Sequence, residues 1–154
     1  MKKIFFMIAA LGLMLAVAFY FSGRGAEEAV QLSYAQKTIL IGGEDFIVDI
    51  ADTEEKRNQG LGGREGIGKN EGMLFVFGES LIPTFWMKGM KFPIDIIWIR
   101  GNTIIGFAEN AQPELSGETL KLYQSPGFVN YVLEVSAGTV ERLNISPGTE
   151  VVIQ

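Results

Sequence analysis

The sequence contains no cysteine and no histidine among its 154 residues. Without cysteine the chain forms no disulfide and has no thiolate nucleophile. Without histidine it lacks a Ser-His-Asp triad and the usual ligands of zinc and copper sites. The sequence therefore predicts no metal and no cofactor, and any reaction would depend on carboxylates, amines, guanidinium groups or hydroxyls.

Positive charge is scarce outside the N-terminus. The chain has 13 Lys and Arg against 18 Asp and Glu, and Lys2, Lys3 and Arg24 are three of the basic residues. Residues 25–154 thus keep 10 basic and 18 acidic residues, a net charge of −8. Such a domain repels phosphate backbones, so nucleic acid is not an expected partner.

The N-terminal segment is the longest apolar run. Residues 4–21 contain no charged side chain and follow Lys2 and Lys3. An α-helix of this length measures roughly 27 Å, close to the bilayer core of about 30 Å. We expect residues 1–26 to form a membrane anchor with a short tether, and the positive-inside tendency puts the rest outside the cytoplasm, in the periplasm or at the cell exterior. The alternative is a signal peptide cleaved near Gly25, giving a secreted protein.

Residues 27–154 are predicted to form a single, mainly β domain, α+β at the margin. Short apolar runs separated by glycine, proline and asparagine turns are typical of an antiparallel sheet, closed as a barrel or packed as a sandwich. The strand candidates are 38–41, 46–51, 73–77, 84–88, 94–99, 103–108, 120–123, 128–135 and 150–153. One or two short helices are expected besides the N-terminal hydrophobic helix.

One short helix is predicted from capping residues at both of its ends. Asp52 is a candidate N-cap with Glu55 in the capping-box position, and Gly60 can end the helix with a positive φ. The loop after it, from Leu61 to Gly72, is rich in glycine and carries Arg64. Such a loop either packs closely on other backbone or moves.

The most apolar part of the domain carries isolated charges. Asp95 lies in a strand between isoleucines, with Ile97 on its own face, and Glu134 lies in an equally apolar strand. A buried carboxylate needs a partner, so Asp95 is expected to accept backbone hydrogen bonds or to pair with Arg57, Arg64 or Lys88. The preferred interpretation is structural: a buried arginine bound to a carboxylate fixes helix and loop to the sheet.

Aromatic residues around Lys88 allow two interpretations. Trp86 and Lys88 alternate with Phe85 and Met87, so one of the two sets faces the core. Packing in the core is the simpler interpretation for Trp86, whereas exposure of Trp86 beside Lys88 would indicate a platform for a sugar or another flat ligand.

Several segments resemble the domain-of-unknown-function 192 family. They are Arg57-x-x-Gly60-Leu61, Arg64, residues 72–77, Phe85-Trp86-Met87-Lys88, Pro93-Ile94-Asp95, Val132-Leu133-Glu134, Gly138 and Gly148. The resemblance covers roughly residues 38–154. It implies a compact, mainly β domain, often preceded by a signal or membrane segment, with no established activity.

Two functions remain open at this point. The first is a non-enzymatic binding or structural module, tethered to the membrane through residues 4–21 or exported, with an unknown small-molecule or cell-wall ligand. The second is a small hydrolase-like enzyme that uses Asp95 and Glu134 as its two carboxylates. No residue is assigned as catalytic, and the candidate ligand-binding residues are Arg64, Trp86, Lys88, Asp95 and Glu134.

Overall fold

The computed structural model describes residues 32–114 and 119–154, and its main element is a seven-stranded sheet. In the order of the sheet, the strands are β6, β5, β8, β3, β2, β1 and β9. In chain order the strands are β1 (Gln36–Ile41), β2 (Glu44–Ala51), β3 (Glu71–Leu81), β4 (Thr84–Phe85), β5 (Ile94–Arg100), β6 (Thr103–Ala111), β7 (Tyr123–Gln124), β8 (Val129–Ser136) and β9 (Val151–Ile153). Two short helices are present, α1 (Glu54–Gln59) and α2 (Thr139–Arg142).

The sheet is almost entirely antiparallel and is curled into a half-barrel. The exception is the parallel pair β2 and β3, which α1 and the glycine-rich loop connect. The edge strands β6 and β9 approach each other at one end, where Thr103 bridges Glu150 and the amide of Ile104 donates to the carbonyl of Thr149 at 3.0 Å. The prediction of a mainly β fold with one or two short helices is confirmed, and the sheet is a half-barrel rather than the closed barrel or the sandwich that the sequence left open.

Apolar side chains cover both faces of the sheet and form two clusters. The inner cluster lies within the curl and includes Phe46, Val48, Leu74, Ile97 and Leu133. The outer cluster lies on the opposite face, under α1 and the loops, and includes Leu61, Met73, Phe75, Met87, Ile96 and Val132. Because successive residues of a strand point to opposite faces, β3, β5 and β8 contribute to both clusters.

Helix α1 begins one residue later than the sequence predicted. Thr53 is the N-cap, since its side chain accepts a hydrogen bond from the amide of Lys56 at 3.3 Å. Asp52 instead accepts from the Lys56 amine at 2.9 Å. Gly60 ends the helix with a φ of 51°, as its position predicted.

Two predicted strands are shorter than expected. The run 84–88 forms a strand only at Thr84–Phe85, and of 120–123 only Tyr123 is in a strand, β7, which ends at Gln124. These two short strands pair with each other and form a separate two-stranded sheet. Residues 86–92 are consequently free to leave the sheet and to contact the loop after α1.

The predicted membrane segment and N-terminal hydrophobic helix lie outside the described residues. Within residues 32–114 and 119–154, no helix has the length and hydropathy needed to cross a bilayer. Residues 33–154 form one compact unit.

Candidate functional site

A cavity of about 220 Å³ lies on the outer face of the sheet, over β3 and β8. Helix α1 and the residues after it border one side, and β4 with the segment that follows borders the other. The lining residues are Arg57, Asn58, Gln59, Gly60, Leu61, Gly62, Phe75, Phe77, Pro83, Thr84, Phe85, Trp86, Lys88, Met90 and Glu134. Two segments that are distant in the sequence, residues 57–62 and residues 83–90, thus meet above strands β3 and β8.

The floor of the cavity consists of side chains of the main sheet. Phe75 and Phe77 point to the outer face of β3, and Glu134 points to the same face of the neighbouring strand β8. The ring of Phe75 meets that of Phe85 edge-to-face, with centroids 4.9 Å apart. This aromatic contact fixes β4 above the floor.

Two hydrogen bonds fix the segments that border the cavity. The amide of Gly63 donates to the carbonyl of Gly89 at 3.0 Å, which joins the glycine-rich loop to the segment after β4. Arg57 donates from Nη1 to the carbonyl of Val76 at 2.9 Å, and its guanidinium lies 5.6 Å from the centre of the Phe77 ring. The glycine-rich loop therefore packs on other backbone here, one of the two outcomes that its composition predicted.

Trp86 and Lys88 lie at the rim and are both exposed, Trp86 to 48%. The intervening Met87 is buried in the outer cluster. The expectation that Trp86 packs in the core is wrong, because β4 ends at Phe85 and the chain turns Trp86 outward beside the cavity. Trp98, in contrast, is 5% exposed.

Glu134 is the one carboxyl among the residues that line this cavity. Its side chain is 5% exposed, and its Oε2 has no hydrogen-bond partner among the described residues. Burial raises the pKa of Glu134 to about 8, and the positive charge of Arg64 opposes this rise. The carboxyl is consequently protonated at neutral pH and can donate a hydrogen bond.

Arg64 contacts a different carboxylate from the one expected. Its Nη2 lies 2.8 Å from Oδ2 of Asp49, and its guanidinium lies 5.5 Å from the centre of the Tyr34 ring. It does not line the cavity, although its charge acts on Glu134. Arg64 thus ties the glycine-rich loop to β2 and influences the site electrostatically.

Asp95 is fully buried and is held by backbone amides. Its Oδ1 accepts from the amide of Asn110 at 2.8 Å, and its Oδ2 accepts from the amide of Val140 at 2.9 Å. The prediction of backbone partners is confirmed, and the alternative pairing with Arg57, Arg64 or Lys88 is wrong. Through these two hydrogen bonds the Asp95 carboxylate connects the bulged end of β6 and the first turn of α2 to strand β5.

The structure therefore brings together three of the five predicted site residues, Trp86, Lys88 and Glu134. Arg64 lies outside the cavity, paired with Asp49 on the outer face of the sheet, and Asp95 lies on the inner face. The two carboxylates that the enzyme alternative requires do not share a site. No cluster of three or more Asp or Glu that could hold a metal ion occurs in the described part of the chain.

Arg57 and the three phenylalanines were missed as site residues. The sequence indicated Arg57 as a possible partner for Asp95 and as part of the family resemblance, but not as a ligand-binding residue. Period-2 alternation puts Phe75 and Phe77 on one face of β3, but which face carries the cavity depends on the path of α1 and the following loop. No local sequence pattern predicts the path of α1 and the loop that follows it.

The comparisons with known proteins agree with this fold. The family model DUF192, described as "Uncharacterized ACR, COG1430", matches residues 37–153. A crystal structure from Sinorhizobium meliloti 1021, of a candidate transcription regulator, has a TM-score of 0.73 and 36% identity, and the match covers 80% of this chain and 97% of that one.

A second solved structure is similar as well. A protein of unknown function from Novosphingobium aromaticivorans DSM 12444 has a TM-score of 0.68 and 27% identity, with 83% of this chain and 91% of that one covered. None of the curated proteins matches the chain.

Proposed function

This chain belongs to the uncharacterised DUF192 family, and we propose that its domain is a non-enzymatic binding module whose ligand enters the cavity between α1 and β4. The observation that carries the proposal is the buried carboxyl of Glu134, which has an Oε2 without a partner among the described residues and lines a cavity with Trp86 and Lys88 at its rim. Buried polar atoms are nearly always hydrogen-bonded, so an unpaired one at a cavity indicates a site for an external group.

The size and lining of the cavity restrict the ligand. Pockets for drug-sized ligands measure about 300–1,000 Å³, and this cavity is smaller, at about 220 Å³. Phe75, Phe77 and Phe85 favour a flat body, and the exposed indole of Trp86 supplies a further stacking surface. We infer a ligand the size of one ring, free or at the end of a longer molecule such as a cell-wall fragment.

The location proposed for this module is outside the cytoplasm, tethered through residues 4–21. The uncharged run after Lys2 and Lys3 supports it. Export followed by cleavage near Gly25 is the alternative.

A transcriptional role is not favoured for this chain. The Sinorhizobium protein carries that description, but a protein that binds DNA neutralises phosphates with a basic surface. Residues 25–154 here have a net charge of −8.

The test is a binding screen of the full-length chain against soluble cell-wall fragments and single-ring compounds, followed by fluorescence and calorimetric titration of the hits. Trp86→Ala should weaken binding of a true ligand at least several-fold, because it removes the stacking surface. Phe128→Ala is the matched control, since Phe128 is 58% exposed and does not line the cavity. Hits that bind Trp86→Ala as tightly as the wild type would refute this location.

A further inference from the structure

The charges around the cavity are unevenly distributed. Arg57 and Lys88 line it, and within residues 32–114 and 119–154 neither forms an ion pair with a carboxylate. The other lining residues are uncharged apart from Glu134. Two cations thus face a small aromatic cavity in a domain that is strongly acidic elsewhere.

Glu134 faces neutral side chains within the sheet. Its strand neighbours are Met73 of β3 and Ile96 of β5, which both belong to the outer cluster. Arg64 is the charge that acts on Glu134, and it pairs with Asp49 on the same face of the sheet. Arg57 of α1 and Lys88 after β4 line the same cavity as Glu134. Since Arg64 is already paired with Asp49, it compensates only part of the cost of burying a carboxylate at this point.

We propose that the cavity binds small carboxylates with a single flat ring, whose anionic end lies beside Lys88 and Arg57 and accepts a hydrogen bond from the carboxyl of Glu134. This inference rests on the proposed function and specifies the chemical class of its ligand. A neutral carboxyl that donates to an anionic oxygen forms a short, charge-assisted hydrogen bond. The phenylalanine rings and Trp86 then contact the flat body of the ligand.

A cationic ligand fits these observations less well. An aromatic cavity with one carboxylate is suited to an ammonium group. Here, however, Arg57 and Lys88 would repel such a ligand, and Glu134 would have to lose a proton in a site where burial disfavours its charge.

The anion proposal implies that binding depends on pH. Only the protonated form of Glu134 donates to the ligand, and with a pKa of about 8 that form becomes scarce above pH 8. The apparent Kd of a ligand increases as the fraction of binding-competent protein falls. Between pH 7 and pH 9 it should rise about tenfold.

The first experiment compares three ligands of the same ring size at pH 7: benzoate, benzamide and benzylamine, which are anionic, neutral and cationic. Each is titrated calorimetrically into the full-length chain up to about 10 mM, because fragments this small bind in the millimolar range. Benzoate should bind most tightly, and Trp86→Ala should weaken it. Equal or tighter binding of benzamide or benzylamine overturns the inference and leaves the proposed function intact, whereas no binding of any of the three refutes both.

The second experiment repeats the benzoate titration at pH 7 and pH 9 at constant ionic strength. Glu134→Gln keeps an N–H donor that does not ionise, so its Kd should be the same at both pH values while the Kd of the wild type rises about tenfold. Glu134→Leu removes the donor and should bind more weakly than the wild type at pH 7. A wild-type Kd that does not change with pH would overturn the role of Glu134.

Two lysine substitutions, one at the cavity and one outside it, test where the carboxylate of the ligand binds. Lys88→Gln should raise the Kd of benzoate about two- to fivefold, the effect of an exposed ion pair. Lys37→Gln is the matched control, because Lys37 is also exposed but lies outside the cavity. Equal effects of the two substitutions would indicate a general charge effect and overturn the placement beside Lys88.

Discussion

Asp95 and Glu134 lie on neighbouring strands and point to opposite faces of the sheet. Asp95 pairs with Val135 across β5 and β8, and Glu134 pairs with Ile96, so the two acids are one residue out of register. A shift of one residue reverses the face to which a side chain points. The sheet therefore separates a carboxylate that is bound by backbone amides from a carboxyl that reaches a cavity, and a mechanism that needs both acids has no common site.

Asp95→Asn should destabilise the domain. Both oxygens of Asp95 accept backbone amides, and an asparagine amide would present donors to one of those amides. We expect a loss of about 1–3 kcal/mol in the free energy of unfolding, measured by urea denaturation. Asp45→Asn is the control, since Asp45 is exposed. An unchanged midpoint for Asp95→Asn would contradict the structural role.

Glu134 should make the stability of the wild type depend on pH. Its pKa is about 8 in the folded chain against an ordinary value of 4.5. The unfolded carboxyl ionises first as the pH rises, so this contribution is fully present below pH 4.5 and is lost towards pH 8. Relative to Glu134→Gln, the wild type should lose about 1 kcal/mol per pH unit from pH 5 to pH 8 and no more above it. Urea denaturation of both proteins from pH 4.5 to 9 measures this difference, and a constant difference would rule out the raised pKa.

Arg64 should lower the pKa of Glu134 without touching the cavity. Arg64→Met removes a positive charge that favours the ionised carboxyl, so the pKa of Glu134 should rise further. Asp49→Asn breaks the same ion pair but keeps that charge, and it should produce no such rise. Titration of the ¹³C-labelled glutamate carboxyl by NMR distinguishes the two variants. A rise in both would mean that the ion pair, rather than the Arg64 charge, controls Glu134.

Gly72→Ala should separate β3 from β8. A Cβ at this position would lie 2.5 Å from the carbonyl oxygen of Glu134, so the strands must move apart. The cost should be about 1–3 kcal/mol, and ligand binding should weaken because the floor of the cavity is displaced. Gly78→Ala, on the same strand, meets no atom within 4 Å and should change stability by no more than about 0.5 kcal/mol. Similar unfolding midpoints for the two variants would contradict the close approach.

Removing residues 4–21 should move the protein from the membrane fraction to the soluble fraction. The basis is the uncharged run in the sequence. Fractionation of cells that express either form, with immunoblotting, provides the measurement. A mature wild-type chain that begins near Gly25 would show instead that the segment is a cleaved signal peptide.

The sequence predicted where the strands lie better than it predicted the contacts between segments that are distant in the sequence. Alternation puts Phe46, Val48 and Ile50 on one face of β2, and all three are buried in the inner cluster. In β5, Ile97 lies in the same cluster, on the face that it shares with Asp95. The bounds of β4 were predicted less well, since Thr84–Lys88 has a strand-like composition throughout. What ends this strand is its pairing with Tyr123 and Gln124, which are distant in sequence.

The candidate site was predictable only in part, because it too depends on contacts between segments that are distant in the sequence. Glu134 and Lys88 were recognisable because each is a charge in an apolar segment. Their meeting at one cavity depends on the hydrogen bond between Gly63 and Gly89, which joins two loops. The partners of Asp95 were equally hidden, because backbone amides leave no trace in side-chain identity.

The two apolar clusters give this domain room to acquire a new specificity. Phe77 and Phe85 pack against the outer cluster and Trp86 lies at the rim of the cavity, while the interior of the half-barrel depends on a separate set of side chains. Substitutions at the cavity wall therefore leave the packing inside the curl intact, and their effects on stability should add to those of distant inner positions. A library randomised at the wall should yield mostly folded variants, which makes the half-barrel a practical scaffold for engineered recognition.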